Sequence, residues 1–147
     1  MIYTKKTKIA MDLMFEKQKE QKDKSGSPYV FHPWHVAEQM DDEDSTCLAL
    51  MHDLIEDTNT TIEEIKNLGF NDNIIDALIL LSRKDKEDYF EYIKKIAKNP
   101  LAVKVKLADL KHNSDETRLT SINESDIKRQ EKYKKAINYL EKIEANN

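Results

Sequence analysis

Residues 50–58 read LMHDLIEDT. Wrapped at 3.6 residues per turn, His52, Asp53, Glu56 and Asp57 share one arc, while Leu48, Leu50, Met51, Leu54 and Ile55 fill the other. The stretch therefore reads as an amphipathic helix, and the content of its polar arc is what raises a functional question. Solvent-facing stripes usually carry Lys, Glu and Gln. Here every polar member can ligate a metal or move a proton, and no lysine within the stretch neutralises them.

The rest of the composition agrees with a helical reading. A chain of 147 residues suits one domain, 1–147, with a core over about 4–120 and a last helix over about 124–144. Two Gly and three Pro leave little material for hairpin turns, and 35% charged against 39% hydrophobic residues suits solvated helices around one core. The expected fold class is all-α, a helical bundle. A formal net charge of −4 supplies no basic field for a nucleic-acid polymer, although local lysines still allow a compact anionic ligand. The lone Cys47, in STCLALM, excludes a disulfide framework within the chain and fits a reducing compartment, so the cytoplasm is the expected location. The N-terminal MIYTKKTKIAMDLMF lacks a signal-peptide core, and no run approaches the roughly 18 apolar residues of a membrane span.

Helical periodicity predicts a first helix over roughly 4–21, with Ile9, Leu13 and either Ala10 or Met14 on its apolar face, broken by KDKSGSP at 22–28. Pro33 fits the first turn of a second helix, and MDDEDS separates that helix from a third, which begins near Ser45 and holds the opening stretch. Thr61 and Glu64 form a capping-box pattern, and Gly69 suits the end of that short helix. Further helices are expected at about 72–82 and 86–98, then after Asn99-Pro100 through LAVKVKLADLKHN, and over about 124–144.

Three other side chains bear on the chemistry. His32, in YVFHPWH, lies in an apolar and aromatic segment, and taken alone it reads as a core histidine that has found a partner. Asp109 is framed by Leu107, Ala108 and Leu110, with Asn113 one turn on; a buried carboxylate there needs a cation or donors, for which a lysine or a helix terminus would serve. The His52-Asp53 doublet taken alone is equally a surface pair. Together, His32, His52, Asp53 and Asp109 offer two imidazoles and two carboxylates, a donor set suited to Mn²⁺ or Fe²⁺ with positions left for water and substrate. The absence of thiolate from the set argues against structural zinc. Glu56 and Asp57, one turn beyond the doublet, could accept a proton from water beside such an ion. Lys24, with Arg83 and Lys84 behind it, is the candidate phosphate contact, and Tyr89 is either a ligand-facing or a core ring.

Three stretches in order, DKSGSPYVFHP, LALMHDLIEDT and VKLADLKHN, resemble the hydrolase domain of RelA/SpoT-type alarmone enzymes, within the HD phosphohydrolase superfamily. The resemblance covers most of the chain. It implies an HD-domain helical bundle in which His32, His52, Asp53 and Asp109 bind one Mn²⁺, with Glu56 and Asp57 beside the attacking water. It also implies removal of the 3′-diphosphate from guanosine tetra- or pentaphosphate, with Lys24, Ser25 and Asn113 at nucleotide-contacting positions. The length is that of the stand-alone small hydrolases of this family.

Two positions depart from the family pattern. Asp23 stands where the family typically has an Arg that stacks on guanine, which predicts weak discrimination of the base and repulsion of phosphate. Glu116 stands where a Thr is typical, with Thr117 one place later. Competing readings are the same metal machinery on another phosphorylated nucleotide, such as a deoxynucleoside monophosphate or the 2′-phosphate of NADPH, and a non-catalytic nucleotide-binding helical module. Retention of Glu56 and Asp57 beside a full ligand set argues against the last.

Overall fold

Thr4 opens the first helix, α1 (Lys5–Gln18): its hydroxyl accepts the Thr7 N–H, and the Thr7 hydroxyl accepts the Thr4 N–H in return. The computed structural model describes residues 1–146. Helices α2 (Phe31–Glu38), α3 (Glu43–Met51), α4 (Leu54–Asp57), α5 (Ile62–Asn67), α6 (Asp72–Leu81), α7 (Tyr89–Ile96), α8 (Pro100–Asn113) and α9 (Glu124–Ala145) follow, with a 3₁₀ turn at Glu116–Arg118. Among the described residues there is no strand, only an isolated bridge between Lys22 and Pro28. Polar side chains set most helix starts: Asp42, Asn71, Asp88, Asn99 and Asn123 each accept a first-turn N–H. Such caps typically stabilise by about 1 kcal/mol each. Pro100 occupies the first turn of α8, and Pro33 that of α2, where a missing N–H costs nothing.

α3 lies at the centre and packs against α1, α2, α6 and α8. Every residue from Ser45 to Met51 is buried, so α3 is enclosed on all sides rather than amphipathic. The expected single helix through residue 57 is also interrupted. α3 ends at Met51 and α4 restarts at Leu54, so the chain turns at His52-Asp53. A local competitor accounts for the break: Nδ1 of His52 bonds the Ala49 carbonyl at 2.6 Å, and in a continuous helix that carbonyl would accept the Asp53 N–H.

Other ends follow the sequence reading more closely. α1 buries Ala10 and Met14 on a face that also holds Thr7 and Gln18. Thr61 caps α5 by accepting the Glu64 N–H, but Glu64 does not close the box; its carboxylate pairs with Lys17 at 3.2 Å. Gly69 has φ 90°, the left-handed conformation that terminates α5. Cys47 is free and buried, and burial pushes its thiol up to about 12, with Glu43 and Asp44 adding to the effect.

Candidate metal centre

The turn after α3 presents His52 and Asp53, the first turn of α2 presents His32, and the third turn of α8 presents Asp109. Because α2, α3 and α8 pack on one another, these side chains converge. One ligand atom each from His32, His52 and Asp109 lies within 4.8 Å of the others, and all three residues are buried. The His32 Nε2 lies 2.9 Å from Asp109 Oδ1, and His52 Nε2 lies 3.4 Å from the same oxygen. Asp53 Oδ2 joins them at 3.2 Å from His52 Nε2 and 4.0 Å from His32 Nε2, with 18% of its side chain exposed.

The residues present fit a divalent ion. A carbonyl can only accept, so the His52 ring must donate from Nδ1 to Ala49, which leaves Nε2 bare in the neutral ring. That Nε2 is buried, has no hydrogen-bond partner among the described residues, and faces two carboxylates. A lone pair facing two anions requires a cation between them, either a metal or a proton. Burial alone would lower the His52 pKa, yet Asp53 and Asp109 outweigh it and raise the group well above its ordinary value, which expresses the same demand for positive charge. The mixed nitrogen and oxygen donors suit a borderline or hard ion.

Each of these side chains is held from behind. The Asn113 amide donates to Asp109 Oδ1 at 2.9 Å, and the Lys106 ammonium donates to Oδ2 at 2.9 Å. Burial would raise the Asp109 carboxyl, but Lys106 and His52 hold it well below the usual carboxylate range. The Tyr29 hydroxyl donates to Asp53 Oδ2. Nδ1 of His32 meets Nδ1 of His112 at 2.7 Å. Burial, reinforced by the positive charge of Arg118, pushes His112 down to about 3 and keeps it neutral.

Beside these side chains is a cavity of about 30 Å³ lined by His52, Asp53, Glu56, Leu81, Tyr92, Val105, Lys106 and Asp109, roughly the space of one water. Glu56 therefore reaches the ligand cluster, while Asp57 lies outside this lining. Glu56 Oε1 also accepts the backbone N–H of Arg83. Loss of solvation raises both carboxyls, and the charge of Asp53 adds to the effect.

A larger cavity of about 300 Å³ adjoins the centre through Tyr29. Lys24, Ser25 and Asn113 line it, together with Arg118, Arg129 and Tyr133, which the sequence does not mark as substrate contacts. Buried Asp126, also in the lining, gathers two cations, pairing with Lys24 at 3.4 Å and with Arg129. Arg83 and Lys84 are not in this lining; the Arg83 guanidinium donates to the Glu87 carbonyl at 2.6 and 3.1 Å. Tyr89 is half-buried against the core, with Lys132 at 4.3 Å and Arg83 at 5.3 Å from its ring centre. Asp23 Oδ1 accepts the N–H groups of Ser25 and Ser27 at 3.0 and 2.9 Å, so its carboxylate shapes the loop that carries Lys24.

Tyr29, Lys106 and His112 were not singled out as site residues from sequence. Lys106 was one of many cations, and only burial of its ammonium against Asp109 separates it from the solvated ones.

No family model matches the chain. Over 138 residues, 86% of this chain, it is 33% identical to an Aquifex aeolicus protein named guanosine-3′,5′-bis(diphosphate) 3′-pyrophosphohydrolase. Over 107 residues, 61% of this chain, it is 36% identical to a GTP pyrophosphokinase of Myxococcus xanthus. The chain spans only 18% and 14% of the lengths of these relatives. A solved structure of a metazoan ortholog of SpoT, described as hydrolyzing ppGpp and playing a role in starvation responses, matches with a TM-score of 0.80 at 21% identity. That match covers 95% of this chain and 87% of the other, and it shows a shared helical fold.

Proposed function

Since the chain belongs to the RelA/SpoT family through its HD-type helical domain, we propose that it is a metal-dependent phosphohydrolase that removes the 3′-diphosphate of guanosine 3′,5′-bis(diphosphate). The observation that carries this reading is the buried, unpartnered Nε2 of His52 facing the carboxylates of Asp53 and Asp109, with His32 closing the set. We assign these four residues as ligands of one divalent ion, Mn²⁺ by donor type, and treat 1–147 as a single HD domain whose last helix walls the substrate cavity. A bound ion of this kind lowers the pKa of its water and polarises a phosphoryl oxygen.

The chain's own groups do the rest. Glu56, on the small cavity beside the ligands, takes the proton of the attacking water, with Asp57 behind it. Water attacks the phosphorus bonded to the 3′ oxygen, that P–O bond breaks, and pyrophosphate and the 5′-diphosphate nucleotide separate as the 3′ oxygen gains a proton. Lys24 and Ser25 bind the nucleotide on the larger cavity, and Asn113 holds Asp109 while facing the same space. Arg83 and Lys84 remain outer candidates for phosphate. Among the described residues no helix is long and apolar enough to cross a membrane. We assign the protein to the cytoplasm, where its small nucleotide substrate would be found.

The test is a nucleotide panel incubated with the Mn²⁺-loaded protein, scoring pyrophosphate and phosphate separately. Pyrophosphate release from guanosine tetraphosphate is the expected result. Phosphate release from a deoxynucleoside monophosphate or NADPH instead would shift the assignment to another nucleotide, a reading favoured only by the acidic Asp23 at the family's arginine position. No release from any member of the panel would overturn the catalytic reading.

A further inference from the structure

α2 and α8 meet along two pairs of residues with the same spacing, His32 and His35 on one helix, Asp109 and His112 on the other. Spacing of three places each pair on one helical face. The result is that α8 grips the His32 ring at both nitrogens: Asp109 Oδ1 lies 2.9 Å from Nε2, and His112 Nδ1 lies 2.7 Å from Nδ1. The His32 and His112 rings are parallel to within 2°, and the His35 ring stacks on His112 with centres 4.0 Å apart. His112 is thereby fixed by packing as well as by its hydrogen bond.

One proton lies between the two Nδ1 atoms, and its owner decides what His32 can do. If His112 donates, the proton of a neutral His32 sits on Nε2, which then has no lone pair for an ion. If His32 donates from Nδ1, its Nε2 is bare and points at the space shared with Asp109, Asp53 and His52. Metal-binding histidines commonly donate their second N–H to a carboxylate or a carbonyl, which fixes tautomer and ring orientation. In this chain an imidazole stands in that place.

We propose that His112 is a positioning residue for the metal centre, accepting the Nδ1 proton of His32 so that the Nε2 of His32 is held bare and aimed at the ion. The proposal rests on the metal-centre reading above. It also assigns the His112 side chain a task apart from nucleotide contact: His112 is absent from the lining of the large substrate cavity, although its neighbour Asn113 is present there.

The test is titration of Mn²⁺ into the metal-free protein by calorimetry, comparing wild type, His112→Phe and His112→Asn. Phe keeps a ring against His35 but has no acceptor. Asn places its Oδ1 where the Nδ1 of His112 lies and can accept. His112→Phe should weaken Mn²⁺ binding by about 10- to 100-fold, and His112→Asn should stay within about threefold of wild type. A wild-type protein that binds no Mn²⁺ would sink the metal reading itself. Tight binding by wild type with unchanged binding by His112→Phe, or equal losses in the two variants, would overturn only the role of His112. Should the Phe variant fail to fold by circular dichroism, ¹⁵N-histidine spectra of the Zn²⁺-loaded wild type decide the matter. His32 protonated at Nδ1 with His112 bare at Nδ1 is expected, and the reverse arrangement overturns the proposal.

Discussion

Glu56 and Asp57 are adjacent carboxylates with unlike surroundings. Glu56 lines the cavity beside His52, Asp53 and Asp109, and the Arg83 N–H fixes one of its oxygens. Asp57 is outside that lining. Glu56→Gln should therefore keep the metal and lower kcat by about 10²- to 10⁴-fold, the usual worth of a general base, with a smaller loss for Asp57→Asn. Steady-state kinetics with metal content as the control checks this; an unchanged kcat in the double variant, ion still bound, would end the proposed water activation. Asp23 invites a different substitution. Its carboxylate holds two loop N–H groups, each bond worth about 1 kcal/mol, so Asp23→Ala should raise KM by about 30-fold with kcat retained. Asp23→Asn, which can still accept both bonds, should stay near wild type; equal KM values for Asp23→Ala and wild type would show that the loop does not depend on them. The convergence of His32, His52 and Asp109 was legible because His and Asp in apolar sequence need partners. Tyr29 and His112 were not, since their roles depend on which ring or hydroxyl meets which ligand across helices far apart in sequence.

At the scale of elements, caps and breakers were the readable features. Asn99-Pro100, Thr61 and Gly69 act within a few residues of themselves, so their local chemistry suffices. The interruption at His52-Asp53 was hidden, because apolar periodicity runs through it and only the bond from His52 to the Ala49 carbonyl reveals the competing partner. Across this break the two consecutive side chains meet, His52 Nε2 lying 3.2 Å from Asp53 Oδ2. The end of α5 offers a direct check on the role assigned to Gly69. At φ 90° any Cβ is strained, and one built there would lie 2.7 Å from Lys6 Nζ, which itself bonds the Gly69 carbonyl at 2.8 Å. Gly69→Ala should cost about 1 kcal/mol or more, read as a lower urea midpoint. An unchanged midpoint would contradict that role.

The whole molecule is arranged around α3, and its burial on every side links stability to the site. Leu48, Leu50 and Met51 are fully enclosed immediately before His52, so the core holds one end of the histidine and aspartate cluster in place. Leu50→Ala should destabilise the protein by about 2–5 kcal/mol in urea unfolding, and a loss below about 1 kcal/mol would mean the centre of the molecule has been misjudged. Few glycines and prolines, high charge and helical periodicity made the all-α class legible. Enclosure of α3 was not, because amphipathy is a property of one stretch while burial is set by the four helices around it. The central claim is that His32, His52, Asp53 and Asp109 converge to hold one divalent ion. The most direct measurement is anomalous scattering near the manganese edge from crystals soaked in Mn²⁺. The account predicts one peak per chain, bonded to the Nε2 atoms of His32 and His52 and to carboxylate oxygens of Asp53 and Asp109, and no peak in Asp53→Ala. No peak at this cluster, or one only at other residues, would contradict it.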